Sequence, residues 1–376
     1  MIVKNLKLEN FRNYSELDID LSSKLNIFIG NNAQGKSNLL ESIVVLALTK
    51  SYLNVKDENL ISDGEEVAIL QTEVEIDNNK NNYFISFSNS VKKLKINGIE
   101  IKKYIDYVSN IKYVLFSPLD ISLIKDSPAV RRKYFNVEIS QVSNNYVKLL
   151  QKYNAILKKR NQFLKSINDI NVSNDYYLKV LDDSFSTLAV DITLERNKFI
   201  NFLNNYISDI YYELTGDKEL SLKYINSIDI YENKEIMKDN FVKKLKDNYL
   251  RDKLYGMTLI GPHRDDYAFF LGDKNLSLYG SQGQCRSSIL ALKISELYNI
   301  KDITGDYPIL LLDDIFSELD IEKRNRLIKY IIDDVQTIIT TTDLNMIDSS
   351  LVKNAKIFNV SDGKINVLEK EGKRHE

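Results

Sequence analysis

The spacing of hydrophobic and polar residues changes twice along the chain. Over residues 1–116 apolar positions alternate as in short β-strands, and the only clear helical spacing there follows Gly35. Over residues 120–249 apolar residues recur every three or four positions, as in long amphipathic helices. After residue 254, apolar strands again alternate with helical segments. The pattern predicts an α/β fold whose two halves are separated by a helical insertion.

Two apolar stripes in the helical region predict an antiparallel helical hairpin. The stripes consist of Ile139, Val142, Tyr146, Leu149, Tyr153 and Ile156, followed by Leu181, Phe185, Leu188, Ile192 and Phe199. A polar linker at residues 168–175 separates them. Each arm of about 30 residues would be ~45 Å long at the helical rise per residue.

The stretch IFIGNNAQGKSNLLESIV, residues 27–44, places a glycine-rich turn between an apolar strand and an amphipathic helix. Its spacing is that of a phosphate-binding P-loop, in which glycines let backbone amides converge on an anion. Lys36 would reach the outer phosphates, and the Ser37 hydroxyl would ligate Mg²⁺. The predicted nucleotide-binding residues are Gly30, Asn31, Asn32, Ala33, Gln34, Gly35, Lys36 and Ser37. An accidental match is the alternative, but the strand and helix on either side favour a nucleotide site.

A second acidic element lies near the C-terminus. The apolar run 309–312 predicts a buried strand that ends in Asp313 and Asp314, the arrangement of a Walker B strand. Asp313 would hold the Mg²⁺ shell, and Asp314 would orient the attacking water. Two acids that merely cap the strand are the alternative. The nucleotide fold is therefore predicted to be split into residues 1–119 and 251–376, around an inserted helical arm at 120–250.

Upstream of these acids, a Ser-x-Gly-Gln motif opens another helix. It consists of Ser281, Gln282, Gly283 and Gln284. A hydroxyl, unpaired amides and the helix dipole at such a start suit a phosphate, although an ordinary capped helix explains the motif equally well.

Composition limits the protein class. The chain is 43% hydrophobic and 28% charged, which is the balance of a globular protein. Its start lacks the apolar region of a signal peptide, no apolar run is long enough to span a bilayer, and a single cysteine, Cys285, excludes an internal disulfide. We therefore expect a cytoplasmic protein. The net charge is −2, with 51 basic and 53 acidic residues, so any DNA contact must come from a local patch.

These motifs together resemble a known class of ATPase. The P-loop, the Ser-x-Gly-Gln signature, the Walker B strand and the following SELD are similar in order and spacing to the ATP-binding-cassette (ABC) heads of the SMC and Rad50 class. Within that class the chain resembles the RecF family over essentially its whole length. The matching motifs are LKLENFRNY, GNNAQGKSNLLE, VLFSP, SPAVRRKYF, KYNAILKKRNQFL, GPHRDD, SQGQCR and LLLDDIFSELD.

The resemblance implies a split ABC-type P-loop ATPase head with an inserted helical hairpin domain. It also implies ATP and Mg²⁺ as cofactors, slow DNA-stimulated hydrolysis and an ATP-dependent homodimer. The expected function is recombinational repair at single-stranded, duplex or gapped DNA in the cytoplasm, with RecR and RecO as partners. An ATPase subunit of a membrane transporter and a non-catalytic ATP-binding adaptor are the alternatives.

Further candidate residues follow from the resemblance or from local charge. Arg12 and Asn13 occupy the place where such heads contact ATP phosphate, and the signature is expected to act on the ATP of a second molecule. Interface or sensor roles are implied for His263, Arg264, Asp265, Asp320 and Thr342. A basic rim for DNA would consist of Arg131, Arg132, Lys158, Lys159 and Arg160. Solvated or purely structural roles are the alternatives for each of them.

Three places differ from what related cassette heads or the family pattern would lead us to expect. The lid-loop segment YVLFSPLDI, residues 113–121, contains no glutamine, and Asn136 stands where an Asp is expected. Asp314 stands where many cassette ATPases have Glu, which is consistent with slow hydrolysis.

Overall fold

A computed structural model describes residues 1–53, 55–88, 91–108, 110–166, 176–217, 219–328 and 335–368. The predicted linker at 168–175 lies outside the described residues. In chain order the strands are β1 (Ile2–Val3), β2 (Asn5–Phe11), β3 (Tyr14–Asp20), β4 (Leu25–Ile29), β5 (Val67–Ile76), β6 (Asn79–Ser88), β7 (Lys92–Ile96), β8 (Ile99–Glu100), β9 (Tyr113–Phe116), β10 (Leu220–Ile225), β11 (Asp266–Leu271), β12 (Lys274–Asn275), β13 (Ile309–Asp313), β14 (Thr337–Thr341), β15 (Lys356–Ser361) and β16 (Lys364–Leu368).

The α-helices are α1 (Lys36–Leu48), α2 (Tyr104–Tyr107), α3 (Ser122–Lys125), α4 (Pro128–Val142), α5 (Asn144–Ser166), α6 (Tyr176–Asn204), α7 (Ile207–Thr215), α8 (Lys234–Asp247), α9 (Tyr249–Tyr255), α10 (Leu276–Tyr279), α11 (Gln282–Thr304), α12 (Ile315–Glu318), α13 (Ile321–Ile328) and α14 (Ser349–Asn354). Short 3-10 turns lie at Asp57–Leu60, Pro118–Ile121 and Leu344–Met346.

A mostly parallel sheet carries both predicted nucleotide motifs. Its strand order is β16-β15-β4-β14-β13-β9, and only the β15–β16 pair is antiparallel. Every residue of β13 and β14 is buried, as expected for parallel strands covered on both faces. Thr341 is in register with Ile29, and Thr340 with Asp313. The end of the P-loop strand and the Walker B acids therefore lie at the same edge of the sheet.

The P-loop helix α1 is buried between two sheets. A second, antiparallel sheet has the order β3-β2-β5-β6-β7-β8, with β1 paired to β5. One hydrophobic core joins α1 to strands of both sheets, including Leu40 of the helix, Leu70 of β5 and Leu311 of β13, all fully buried. Because α1 is packed on several sides, its first turn is held firmly against the sheet edge.

The inserted hairpin is formed by α5 and α6, which confirms the prediction of a helical insertion. The first arm was predicted too long. The chain is extended at Ser143 (φ −137°, ψ 97°), where α4 ends and α5 starts, and the Ser143 hydroxyl accepts a hydrogen bond from the Tyr146 amide at 3.1 Å. Since Ile139 and Tyr146 are both buried, the apolar stripe continues across the break, and periodicity could not reveal it.

Two compact units make up the described chain. One contains Met1–Asp120, Ile210–Asp217 and Leu290–Glu376, and the other contains Ile121–Asp209 and Lys218–Ile289. Residues 251–289 thus cluster with the inserted helices, because β10 pairs with β11 in a three-stranded sheet. The functional division at 119/120 and 250/251 stays a prediction. In the described part of the chain, no helix combines the length and apolarity that crossing a membrane would require.

Candidate nucleotide-binding site

The P-loop conformation depends on two of its glycines. A Cβ on Gly30 would lie 2.3 Å from the carbonyl oxygen of Val360. Gly35 has φ 109°, and a Cβ there would lie 2.5 Å from Nδ2 of Asn13. Any residue with a Cβ at position 30 or 35 would therefore clash with its neighbours, so the loop requires glycine at both positions.

The Lys36 ammonium lies against the loop that precedes it. Its Nζ donates to the carbonyl oxygens of Gly30 and Asn31, both at 2.7 Å. Burial lowers the pKa of Lys36, while the negative charges of Asp314 and Asp313 oppose that shift. Asn31, Asn32 and Ala33 are exposed, and Gln34 accepts hydrogen bonds from the amides of residues 362 and 363. A cation is therefore held at the start of α1 beside an exposed loop.

Ser37 and Asp313 meet although 276 residues separate them. The Ser37 hydroxyl donates to Oδ1 of Asp313 at 2.9 Å, and the Thr340 hydroxyl donates to the same oxygen at 2.8 Å. Burial raises the pKa of Asp313, and these hydrogen bonds act in the opposite direction. Because the Ser37 hydroxyl donates its proton to the carboxylate, the lone pairs of its oxygen remain available to a metal ion. A hydroxyl beside a carboxylate is a hard oxygen donor set that fits Mg²⁺.

Asp314 is held in a strained conformation next to this pair. Its φ is 48°, in the left-handed region that non-glycine residues seldom adopt. Its amide donates to the Thr340 hydroxyl at 3.0 Å, and its Oδ2 accepts from Ser317 at 3.1 Å. Its other oxygen, Oδ1, is buried with no hydrogen-bond partner among the described residues. A buried carboxylate oxygen without a donor is suited to accept a proton from a water molecule.

Arg12 and Asn13 contact the P-loop helix and the loop itself. Arg12 makes a bidentate ion pair with the fully buried Glu41 of α1, with both N···O distances 2.8 Å. Asn13 donates to the carbonyl oxygen of Gln34 at 3.1 Å and accepts from Asn38 at 2.8 Å. Both residues therefore lie beside the predicted phosphate site, and their contact with ATP stays a prediction.

The signature residues form a reciprocal capping box. The Ser281 amide donates to Oε1 of Gln284 at 3.0 Å, and the Gln284 amide donates to Oγ of Ser281 at 3.2 Å. Gln282 and Gly283 are exposed, and a Cβ on Gly283 would meet nothing within 4 Å. Lys125 braces the preceding turn by donating to the carbonyl oxygens of residues 276, 277 and 280 at 3.1–3.3 Å. These contacts are those of a capped helix, and an anion would compete for the same amides.

Comparison with known families agrees with this geometry. The sequence model described as "RecF/RecN/SMC N terminal domain" matches residues 2–366. The chain belongs to the RecF family. Proteins named "DNA replication and repair protein RecF" from Streptococcus agalactiae and Staphylococcus carnosus are 40% and 39% identical to it. The matches cover 99% of both chains for the first, and 97% of this chain and all of the relative for the second.

Solved structures extend the family comparison. Two structures of the recombination mediator RecF in the RecFOR pathway, one with ATP and one with ATPrS, superpose with TM-scores of 0.90 and 0.88. They are 31% and 30% identical to this chain, and each comparison covers 98% of both chains. An SMC head from Pyrococcus furiosus, 18% identical over 98% of this chain and 96% of its own, has a TM-score of 0.53 and shows a shared fold. The RecF-type ATPase head with a helical insert is thereby confirmed.

The GPHRDD segment, residues 261–266, is part of the RecF pattern and is largely buried within the unit that contains the inserted helices. His263 contacts the Tyr153 hydroxyl at 2.7 Å through Nδ1, and burial lowers its pKa to about 4. The buried Asp265 accepts from the amide and hydroxyl of Ser227 at 2.9 and 2.8 Å. Arg264 is exposed. These contacts are those of a bonded structural turn, and an interface role stays a prediction.

Asp320 and Thr342 follow the two strands β13 and β14. Asp320 comes after β13 and the short helix α12, and Thr342 comes directly after β14. Asp320 precedes α13, accepts from the Lys323 amide at 2.9 Å and pairs with the Lys323 ammonium at 2.9 Å. These hydrogen bonds lower the pKa of Asp320. Thr342 is half-buried directly after β14. Their interface or sensor roles stay predictions.

The predicted DNA rim needs a correction at two residues. Arg160 is fully buried and pairs with Asp182 and Asp252, each at 2.7 Å. Arg131 forms a bidentate pair with Asp266 at 2.7 and 2.9 Å. The Arg160 guanidinium is buried between two carboxylates and that of Arg131 is buried against one, so we remove these two residues from the predicted DNA contacts.

The remaining rim residues differ in exposure. Lys158 and Lys159 are exposed, whereas Arg132 is half-buried and donates to the carbonyl oxygen of Asp265 at 2.8 Å. All three stay predicted DNA contacts.

Two residues that support the site were missed from the sequence. Thr340 holds both Walker B acids, but within the run TIITTTD nothing distinguishes it from an ordinary strand residue. Glu41 pairs with Arg12, and its signal was a lone acid within the apolar helix α1.

Two places that differ from the expected pattern have structural partners. In the lid-loop segment, Asp120 accepts from the Ser117 amide at 2.8 Å and lies 3.7 Å from the Lys293 ammonium. Asn136 accepts from Tyr146 at 2.6 Å and from Arg196 at 3.0 Å, which is a structural use of that position.

Proposed function

We propose that the protein is an ATP-dependent DNA-binding protein of recombinational repair and replication restart. In this proposal an ATP-driven dimer clamps DNA at gaps or junctions of single and double strands, helps to load a recombinase, and is released by slow hydrolysis. The observation that carries it is the convergence of Lys36, Ser37, Asp313 and Asp314 at one sheet edge. The names of the relatives, a DNA replication and repair protein and an ATP-bound recombination mediator, support the biological role.

The chain's own residues have distinct tasks in ATP binding. The loop amides and the Lys36 ammonium, now bonded to Gly30 and Asn31, would exchange those carbonyl oxygens for phosphate oxygens. Ser37 and Asp313 would hold Mg²⁺, which supplies charge neutralisation at the phosphates when bound. The Thr340 hydroxyl donates to Oδ1 of Asp313 and thereby keeps this carboxylate oriented.

Asp314 is the residue proposed to position the attacking water. Its unpartnered Oδ1 can accept a hydrogen bond from that water, while Ser317 and Thr340 fix the residue around it. An Asp side chain is one methylene shorter than the Glu of many cassette ATPases, so we propose slow turnover. The family resemblance adds the proposal that DNA stimulates this turnover.

The dimer proposal concerns where each ATP site is completed. By the family resemblance, Ser281 to Gln284 of one chain would face the P-loop of another, giving two ATP molecules between two heads related by two-fold symmetry. DNA would lie along the exposed Lys158 and Lys159, and RecR, RecO and a cytoplasmic location follow from the same resemblance. Of the earlier alternatives, neither the transporter subunit nor the adaptor is favoured by a specific observation.

Mixing two inactive variants tests this arrangement. Lys36→Ala removes the phosphate cation, and Ser281→Arg places a bulky side chain in the signature, so each homodimer should be inactive. In a mixed dimer one site carries both lesions, while the other joins an intact P-loop to an intact signature. We expect partial recovery of ATPase activity on mixing, with light scattering to confirm mixed dimers. Full activity of Ser281→Arg as a monomer would contradict completion in trans and leave the motif as a helix cap.

A further inference from the structure

The segment after the P-loop helix reaches the Walker B acid through Tyr52. Its hydroxyl lies 3.5 Å from Oδ2 of Asp313. Among the residues that the structure describes, the other donors to this carboxylate are Ser37 and Thr340, and both use Oδ1. Within that part of the chain, Tyr52 is therefore the donor to the second oxygen.

Residues 49–53 are held in place from two sides. Thr49 ends α1 in a left-handed conformation (φ 58°), and its carbonyl oxygen accepts from the Lys92 ammonium at 2.6 Å. The Ser51 hydroxyl donates to the buried Glu41 and accepts from the Leu53 amide at 2.9 Å. Because Glu41 also pairs with Arg12, one buried carboxylate fixes both that arginine and the segment that carries Tyr52.

Rotation about the Cβ–Cγ bond moves both carboxylate oxygens, so Ser37 and Thr340 on Oδ1 and Tyr52 on Oδ2 restrain that rotation from both sides of the group. We propose that Tyr52 is a positioning residue of the magnesium site, whose hydroxyl orients the Asp313 carboxylate toward the metal that accompanies ATP. This inference rests on the proposed function, since it requires a site for Mg²⁺ and ATP. Outer partners of metal ligands act in this way in many proteins.

Tyr52→Phe, which removes one oxygen atom, tests the proposal. The measurement is the binding of a fluorescent ATP analogue during titration with Mg²⁺, and again in EDTA. We expect Tyr52→Phe to need roughly tenfold more Mg²⁺ for half-maximal effect, with unchanged affinity in EDTA. Tyr104→Phe is the matched control, since the Tyr104 hydroxyl donates to the carbonyl oxygen of Leu48 at 2.8 Å, next to the same segment. It should behave as the unmodified protein.

A second comparison separates positioning from a general effect on the fold. In an Asp313→Asn background, Tyr52→Phe should cause no further shift, because it acts through that carboxylate. A Mg²⁺ requirement of Tyr52→Phe equal to that of the unmodified protein would overturn the inference, as would an equal shift in both backgrounds. If the unmodified protein bound nucleotide without any response to Mg²⁺, the proposed function itself would fail, which is a distinct result.

Discussion

Lys36→Ala is expected to lose ATP affinity by roughly a hundredfold or more, which corresponds to about 2.7 kcal/mol. The ammonium provides a point charge at the start of α1, and uncharged backbone amides cannot replace it. Isothermal titration with ATP and Mg²⁺ measures the loss.

Lys50→Ala is the matched control, because Lys50 is exposed two residues beyond the same helix and should leave affinity unchanged. Thermal unfolding of both variants without nucleotide separates a binding defect from a folding defect. Near-normal ATP affinity of a folded Lys36→Ala protein would contradict the P-loop assignment.

Asp314→Asn is expected to bind ATP normally and to slow hydrolysis by about a hundredfold or more. The amide retains the size of the side chain but is a much weaker proton acceptor, and Asp313 still holds the metal. The trapped ATP state should persist as a dimer on DNA. Single-turnover hydrolysis together with light scattering would measure both effects.

The control for this variant is Asp348→Asn, since Asp348 is an exposed acid that caps α14 and lies outside the proposed site. Turnover of Asp348→Asn should equal that of the unmodified protein. Should Asp314→Asn hydrolyse ATP at the normal rate, the role of orienting water would belong to another residue.

Local signals explain what the sequence could predict. The P-loop and the Walker B strand each lie within a single stretch of chain. Glycine spacing, and a buried strand that ends in acids, are local properties and can therefore be predicted from the sequence. The parallel sheet then brings Ser37 and Asp313 together. The basic motif in α5, in contrast, does not predict which of its side chains are exposed. Lys159 and Arg160 are neighbours, yet Lys159 is exposed and Arg160 is buried against Asp182 and Asp252.

Long-range contacts explain the rest. The break at Ser143 is invisible to periodicity because apolar residues on both sides of it, Ile139 and Tyr146, are buried. Tyr52 is one of 23 tyrosines in the chain, and only its distance from Asp313 distinguishes it. Thr340 likewise acquires its role from strand register. Residues that support a site from other elements are therefore found from the structure, whereas those that contact the phosphates are found from the motif.

We expect ATP to control DNA binding, and a gel-shift titration measures this control. The unmodified protein and Lys36→Ala would be titrated on single-stranded, duplex and gapped DNA, with ATP and with ADP, across a series of salt concentrations. We expect tight, salt-sensitive binding with ATP, strongest on gapped DNA, and weak binding with ADP or in the Lys36→Ala variant. Equal affinity with ATP and ADP, or no binding to any DNA, would contradict control of DNA binding by ATP.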